Sequence, residues 1–484
     1  MAGIGFTLKK LTQKDNLFGV VHAYGVAMLA AAGPWLFTVL TLAGITMIFS
    51  DYYAANTDLN ADFGPEIFRL IVIYNFAFSL VLSAPVFMVA TRYLADNIHV
   101  KDVTNVPSVM LGCLMLLYMI QIPIGLFFYI GYVDLPLSLQ VSAIVNLCLI
   151  TSVWLLGVFL TALKDYNAVT WAYGIGMLVA VVLAQILKDF YGTAGMLNGF
   201  SVGLAFIVFT LAAKVFSEYA YSFKNPFDIK HYFRKYWHLA AGGFLYNAAI
   251  WVDKWIMWFA PESKMVDYLG VPTGMRMYPD YDSATFFAYL SIVPAMAVFV
   301  FAVETNFFER YQRFYDDILM HKPLRKILDN QKAVMSSILE SSRNFIIMQG
   351  AIAFLCIAFA PKFFEAMNIN FNQIGIYRMS VLGAFFHVLL LFEVIILSYF
   401  DNRRMVMWIA AIYLALNATI TIWTLYLGFP FYGYGYFLSS LIIFVLTSVI
   451  LFSYVKKLPY HAFITSNNSV RDDYAIPDQA QFKG

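Results

Sequence analysis

The residues in this chain that could do chemistry are ionisable groups set inside long apolar runs. Asp253 and Lys254 stand side by side in Trp251-Val252-Asp253-Lys254-Trp255-Ile256-Met257-Trp258, and His387 and Glu393 fall within a second apolar stretch. A charge placed in hydrocarbon costs at least about 2.5 to 3.5 kcal/mol on insertion scales, so each needs a partner, a water-filled cavity or a nearby interface. Consecutive helix residues point about 100° apart, so Asp253 and Lys254 are not expected to form a face-to-face salt bridge. On the same wheel Asn247, Trp251, Lys254 and Trp258 share one stripe. An amide and an ammonium between flat indoles can line a polar path, because aromatic faces meet the C–H faces of sugar rings while the polar groups exchange hydrogen bonds. The plainer alternative is an interfacial aromatic belt with a snorkelling lysine, since residue 254 is only a turn or two from the end of its run.

Other intramembrane features divide in the same way. Glu393 can bind a proton or counter-ion, or can satisfy a neighbouring helix. Arg69 and Arg378 begin their apolar runs and are candidates for a pathway or for snorkelling. Gly33-Pro34 lies near the middle of the first run, where proline removes a backbone bond and crowds the preceding turn, so a hinge is expected there. Trp35 follows it, beside the small residues Ala30 to Ala32, and suits a helix that bends and packs closely. Pro85, Pro123 and Pro294 interrupt other runs.

The elements that hold these groups follow from composition. The chain has 484 residues, 61% hydrophobic and 12% charged, where a soluble domain has about 25% charged residues. Most of it must face lipid. Apolar runs fall at roughly 23–49, 67–90, 108–130, 137–162, 168–187, 194–213, 239–259, 284–303, 344–360, 375–399, 406–427 and 434–455. A crossing takes about 20 helical residues, so these are twelve spans with little room for an appended enzyme. The first is too long for the apolar core of a signal peptide and reads as a retained helix. Cys113, Cys148 and Cys356 all lie within apolar runs, and the seven histidines are scattered singly. No metal-binding spacing, phosphate-binding glycine loop or nucleophile elbow is present, so neither metal, cofactor nor enzymatic activity is expected. A net charge of +2 gives no basic face for nucleic acid.

Orientation comes from the cations. With the N-terminus inside, 24 of the 31 Lys and Arg residues fall in cytoplasmic segments. The outer loops hold Lys188, Lys264, Arg276 and Lys362, and the first outer loop has Asp51, Asp58 and Asp62 with no cation. The positive-inside rule therefore places both termini in the cytoplasm.

The chain divides once. After the sixth span Asn225-Pro226 breaks the helix, Asp228 can cap a new one, and Ile229, Tyr232, Phe233, Tyr236 and Trp237 recur at helical spacing among Lys230, Arg234 and Lys235. This is an amphipathic interfacial linker between an N-terminal lobe, residues 1–225, and a C-terminal part, 226–464, with a polar tail at 465–484. Six plus six helices around a midplane cavity is a common transporter plan. The fold class is thus an all-α membrane protein, with twelve transmembrane helices in two six-helix lobes around a central cavity. The longest cytoplasmic segment, 304–343, carries an apolar stripe of Tyr311, Phe314, Tyr315, Ile318 and Leu319 opposite Glu309, Arg313 and Asp317, which can pair at i, i+4. It either lies on the membrane or the lobe above, or docks a cytoplasmic partner through Arg313, Tyr315 and Ile318.

Several motifs together resemble the Pel exopolysaccharide transporter family, PelG. They are the opening Met1-Ala2-Gly3-Ile4-Gly5-Phe6, Gly33-Pro34-Trp35, Val252-Asp253-Lys254-Trp255-Ile256, Glu304-Thr305-Asn306-Phe307 through Tyr315, and Tyr399-Phe400-Asp401-Asn402-Arg403-Arg404. The Asp-Lys pair also resembles a signature at the same place in the wider flippase superfamily. The resemblance implies two lobes around a cavity, and passage of an N-acetylgalactosamine-rich polysaccharide across the bacterial inner membrane. It further implies work beside a cytoplasmic glycosyltransferase and two other Pel membrane subunits, one of which responds to a cyclic dinucleotide. The competing functions are a flippase for a lipid-linked sugar diphosphate, which would favour more cations than Arg69, Lys254 and Arg378 provide, and a non-transporting scaffold for a synthase.

Overall fold

The computed structural model describes residues 36–38, 40, 41, 44, 45, 64–163, 166–219, 224–301, 303, 307–367 and 369–465. The expected hinge at Gly33 and Pro34, and Trp35 beside it, lie outside these residues. From residue 64 on, the first half holds helices α1 (Pro65–Val100), α2 (Val106–Tyr129), α3 (Leu137–Leu163) and α4 (Tyr166–Glu218). The second half begins with α5 (Ile229–Lys235) and α6 (Trp237–Met257), followed by strands β1 (Lys264–Tyr268) and β2 (Val271–Met277). It continues with α7 (Pro279–Leu290), α8 (Val293–Phe301), α9 (Phe308–Leu319), α10 (Leu324–Ala366), α11 (Ile374–Tyr399), α12 (Arg403–Leu427) and α13 (Tyr434–Lys456). Among the described residues eight helices are long and apolar enough to cross a membrane: α1 to α4 and α10 to α13.

Helix α4 is two helices joined at Gly192, whose φ of 57° and ψ of −137° break the helical path. The returning half lays Gly195, Gly199 and Gly203 along the first half. A Cβ at Gly199 would lie 2.3 Å from the Ala184 backbone, and one at Gly195 would lie 2.0 Å from the Leu187 carbonyl. Lipid gives no hydrophobic drive between helices, so this close backbone approach supplies the packing. Polar side chains act as further glue: Gln121 donates to Ser83 at 2.7 Å and accepts from Thr151, and Asn75 donates to Asn146 at 3.0 Å while accepting from Tyr129 at 2.7 Å.

Three expectations change. The eighth run is not one helix, because α7 ends at Leu290 and α8 restarts beside Pro294, which cannot donate its backbone bond to the preceding turn. The chain is not purely helical, because β1 and β2 form an antiparallel hairpin closed by Leu269 (φ 55°) and Gly270 (φ 78°). Positive φ at both central residues is the geometry that matches strand twist in a two-residue turn. Asp228 makes no side-chain cap on α5; its carboxylate accepts the Tyr93 hydroxyl at 3.4 Å.

The segment around α9 lies on the protein. Phe314 is fully buried, Tyr311 donates to the Tyr399 carbonyl at 2.9 Å, and Tyr315 and Ile318 pack into the same cluster of buried residues. Asp317 is engaged by Asn330 at 2.6 Å and Lys326 at 4.0 Å. Of the three residues expected to dock a partner, only Arg313 is exposed.

The glycine contact is directly testable. Gly199→Ala must push the two halves of α4 apart, and overpacking of this kind costs about 1–3 kcal/mol. A fall in thermal midpoint in detergent is expected for Gly199→Ala and not for Gly157→Ala, where an added Cβ meets nothing within 4 Å.

A buried polar cluster between two end latches

Helix α6 carries most of the candidate residues, and three helices packed around it decide what they do. Lys254 turns its ammonium back onto its neighbour, 3.0 and 2.9 Å from the two Asp253 oxygens, and also donates to the Ile250 carbonyl at 3.1 Å. The expectation that adjacent residues would not pair therefore fails: the lysine's four-carbon stem is long enough to undo the angular offset. Both side chains are buried, Asp253 completely. Tyr281 of α7 donates to Asp253 at 2.8 Å, and Tyr289 of α7 lies 3.2 Å from the ammonium. The ammonium also sits 4.8 Å from the Tyr289 ring centre and 5.2 Å from that of Tyr436 on α13, so two aromatic faces share its charge.

The cluster continues through His387 on α11. Its Nδ1 is 2.8 Å from the Tyr436 hydroxyl and its Nε2 is 2.9 Å from the Tyr246 hydroxyl of α6. A neutral imidazole donates at one nitrogen and accepts at the other, so one tyrosine gives a proton to the ring and the other takes one. Tyr413 of α12, 3.0 Å from Ser440, packs against both His387 and Tyr246. Five tyrosines, an imidazole and a balanced ion pair thus share one interior. The sequence reading named Asp253, Lys254 and His387 but none of the five tyrosines. The remaining signal was the set of mid-run tyrosines, whose hydroxyls need partners once buried.

At the C-terminal end of α6 Trp258 closes rather than lines a space. Its ring stacks on Tyr74 of α1, with centres 4.4 Å apart and planes 10° apart, and its N–H donates to Asp282 at 3.0 and 3.1 Å. Arg69 and Lys254 both lie within electrostatic reach of that carboxylate. The β hairpin reinforces the contact. The Tyr74 hydroxyl donates to the Arg276 carbonyl at 2.7 Å and accepts from its N–H at 3.1 Å, and Asp134 N–H donates to the Thr273 carbonyl at 3.1 Å. A two-stranded ribbon is marginal alone, and these contacts with the first half hold it.

A second latch lies at the opposite end of the same two helices. Tyr236, at the junction of α5 and α6, donates to Asp96 of α1 at 3.2 Å. Asp96 pairs with Arg92 at 3.0 Å, Arg92 approaches Asp401 to 3.8 Å, and Arg403 clasps Asp401 through two nitrogens. Arg403, Arg92 and Lys235 stand 4.4, 5.2 and 5.2 Å from the Tyr236 ring centre.

The other candidates stand apart. Asn247 donates to the Gly243 carbonyl of its own helix at 2.9 Å, and Trp251 is partly exposed. Glu393 is buried between α11 and α13, where one oxygen accepts from Ser448 and the other has no hydrogen-bond partner. Among the described residues no group of three or more His, Cys, Asp or Glu could hold a metal ion.

A family model described as "PelG: Putative exopolysaccharide Exporter (EPS-E)" matches residues 1–463. No curated protein sequence matches the chain. Among solved structures it is similar to a multidrug resistance MATE family transporter of the MOP superfamily in an outward-facing conformation, at a TM-score of 0.61 and 13% identity over 90% of this chain and 96% of that one. It is also similar to a MOP superfamily transporter from Pyrococcus furiosus, at 0.58 and 13% over 89% and 96%. An inward-facing MATE family transporter matches at 0.55 and 13% over 90% and 95%. At these identities the likeness is one of fold, that of a MATE-like multi-pass membrane transporter.

The ion pair sets the first mutational expectation. Removing one partner of a buried pair leaves an uncompensated charge and costs about 3–5 kcal/mol, whereas replacing both can be neutral. Lys254→Ala should therefore lower the amount of folded protein in the membrane, and Asp253→Asn with Lys254→Met should restore most of it. The check is fluorescence-detected size exclusion of the three variants; a Lys254→Ala protein as stable as the unmodified chain would contradict the pairing.

Proposed function

The chain belongs to the PelG family of exopolysaccharide exporters, and from that premise we propose that it passes an N-acetylgalactosamine-rich polysaccharide, Pel, across the bacterial inner membrane for a biofilm matrix. The proposed frame is twelve spans in two six-helix lobes, residues 1–225 and 226–464, around a central cavity. Both termini are cytoplasmic, and 465–484 is a tail. A cytoplasmic glycosyltransferase supplies the polymer, other Pel membrane subunits assemble with the transporter, and the bilayer surrounds it.

One observation carries the transport reading. Helices α1 and α6, one from each half, touch at both ends through contacts of different chemistry: aromatic stacking and a hairpin outside, charges around Tyr236 inside. Two seals on one pair of helices suit a cavity that opens alternately to either side, and a scaffold needs neither. The choice of a neutral chain over a lipid-linked diphosphate is supported by Lys254, whose charge Asp253 already balances. A doubly charged head would call for free cations.

Trp251 is the aromatic stripe residue left partly exposed, and in this reading it meets sugar rings. Trp251→Ala should lower polymer release from cells several-fold with normal membrane abundance of the protein; undiminished release would return Trp251 to the aromatic belt. The seals are tested separately. Asp96→Cys with Tyr236→Cys, bridged by a bifunctional methanethiosulfonate, should stop export, and reduction should restore it. Export by the bridged protein would rule out opening at the inner end.

A further inference from the structure

A groove of about 930 Å³ runs between the inner part of α10 and the end of α13, away from the candidate path. Its walls hold Lys332, Arg343 and Lys456, against the single carboxylate of Glu340, over a floor of Met335 and Leu339. The shape is braced: the Gln331 amide donates to the carbonyls of Val455 and Lys456 at 3.0 and 2.7 Å, tying α10 to the last turn of α13. Lys332 is itself only loosely matched, 3.9 Å from Asp329 with both side chains largely exposed. One turn beyond Arg343 α10 exposes Ile346 and Ile347, and about two and three turns before Lys456 α13 exposes Val449 and Val445.

We propose that this groove binds an anionic phospholipid of the cytoplasmic leaflet, its phosphate held by Arg343 and Lys456 and its acyl chains lying along the exposed strips of α10 and α13. The position of the charges supports it. Cations gathered where two helices leave an apolar zone match a phosphodiester at the headgroup level, and basic pockets between membrane helices on this side take such heads. An acidic protein segment would match the cations but has no use for the apolar strips beneath them. A free anion would lack the same anchorage. The bound lipid would clamp α10 to α13 beside the Gln331 bond. The proposal rests on the orientation given above only for the choice of leaflet.

The test uses the full chain purified and exchanged into nanodiscs of phosphatidylcholine containing a minor fraction of phosphatidylglycerol. Native mass spectrometry then reads the lipid retained when the disc is stripped. Preferential retention of phosphatidylglycerol is expected, unaffected by inorganic phosphate. A cation near an anionic surface contributes a factor of roughly five in partition, so Arg343→Gln with Lys456→Gln should retain about thirty-fold less, and either single change about five-fold less. Lys264→Gln on the outer hairpin should leave retention unchanged. Equal retention of both lipids, undiminished preference in the double variant, or displacement by phosphate alone would overturn the proposal.

Discussion

The contact of α1 with α6 is the one on which the remaining arrangement depends. These helices come from opposite halves of the chain and meet along their full lengths. The middle of the seam is smooth: a Cβ at Gly243 would sit 2.7 Å from Met88 and 3.1 Å from the Ala84 carbonyl. A side chain there would have to displace Met88, and side chains with directed bonds are found at the ends instead. An apolar seam with polar ends resists sliding little, because dispersion contacts are individually weak and easily replaced. The ends, with fixed partners and angles, set which arrangement of the halves is held.

A second constraint acts inside the C-terminal half. Buried polar groups there depend on the protein for partners, since hydrocarbon offers no substitute. That requirement explains why Asp253 and Lys254 are surrounded by tyrosines. Tyr281 serves the carboxylate, Tyr289 and Tyr436 serve the ammonium, and Tyr436 then serves His387. Four helices are thereby tied through one group of side chains, α6, α7, α11 and α13. A change at any member reaches the others, so variants here combine loss of packing with loss of any contact to a substrate.

Much of this frame was legible in the residues. Run length marked the eight helices that, among the described residues, are long and apolar enough to cross a membrane, and the cost of charge in hydrocarbon pointed to Asp253, Lys254 and Glu393. What was missed has definite causes. Angular offset argued against the Asp253–Lys254 pair, but the lysine stem is flexible enough to override it. The hairpin has Leu269-Gly270 at its turn, not Asn-Gly, and lies among apolar runs that mask its alternation. Tyr74, Tyr236 and Asp282 carry no local signature at all, because their importance arises from partners at sequence separations of 202, 140 and 24 residues. The amphipathic stripe of α9 holds at Tyr311, Phe314, Tyr315 and Ile318 but not at Leu319, which is exposed, while Asp317 of the expected polar side is buried; nor does periodicity say which surface a stripe covers. Here Tyr311 and Phe314 cover the protein itself.

The distribution of charge bears on what can move through such a frame. A long polymer must be held weakly at many points, since a strong site would trap one repeat and stall the rest; conduction elsewhere obeys the same rule of binding that permits release. The charges around Tyr236 lie at one end of the α1–α6 contact, the Asp282 carboxylate at the other, and the pair between them is compensated. Hydroxyls, an imidazole and aromatic faces remain for the interior. Here they bond to one another, and on the proposed function they would trade those bonds for bonds to sugar hydroxyls at little net cost. On the proposed function, then, selectivity for a neutral chain arises as much from the cancelled charge of Lys254 as from any feature that attracts sugar.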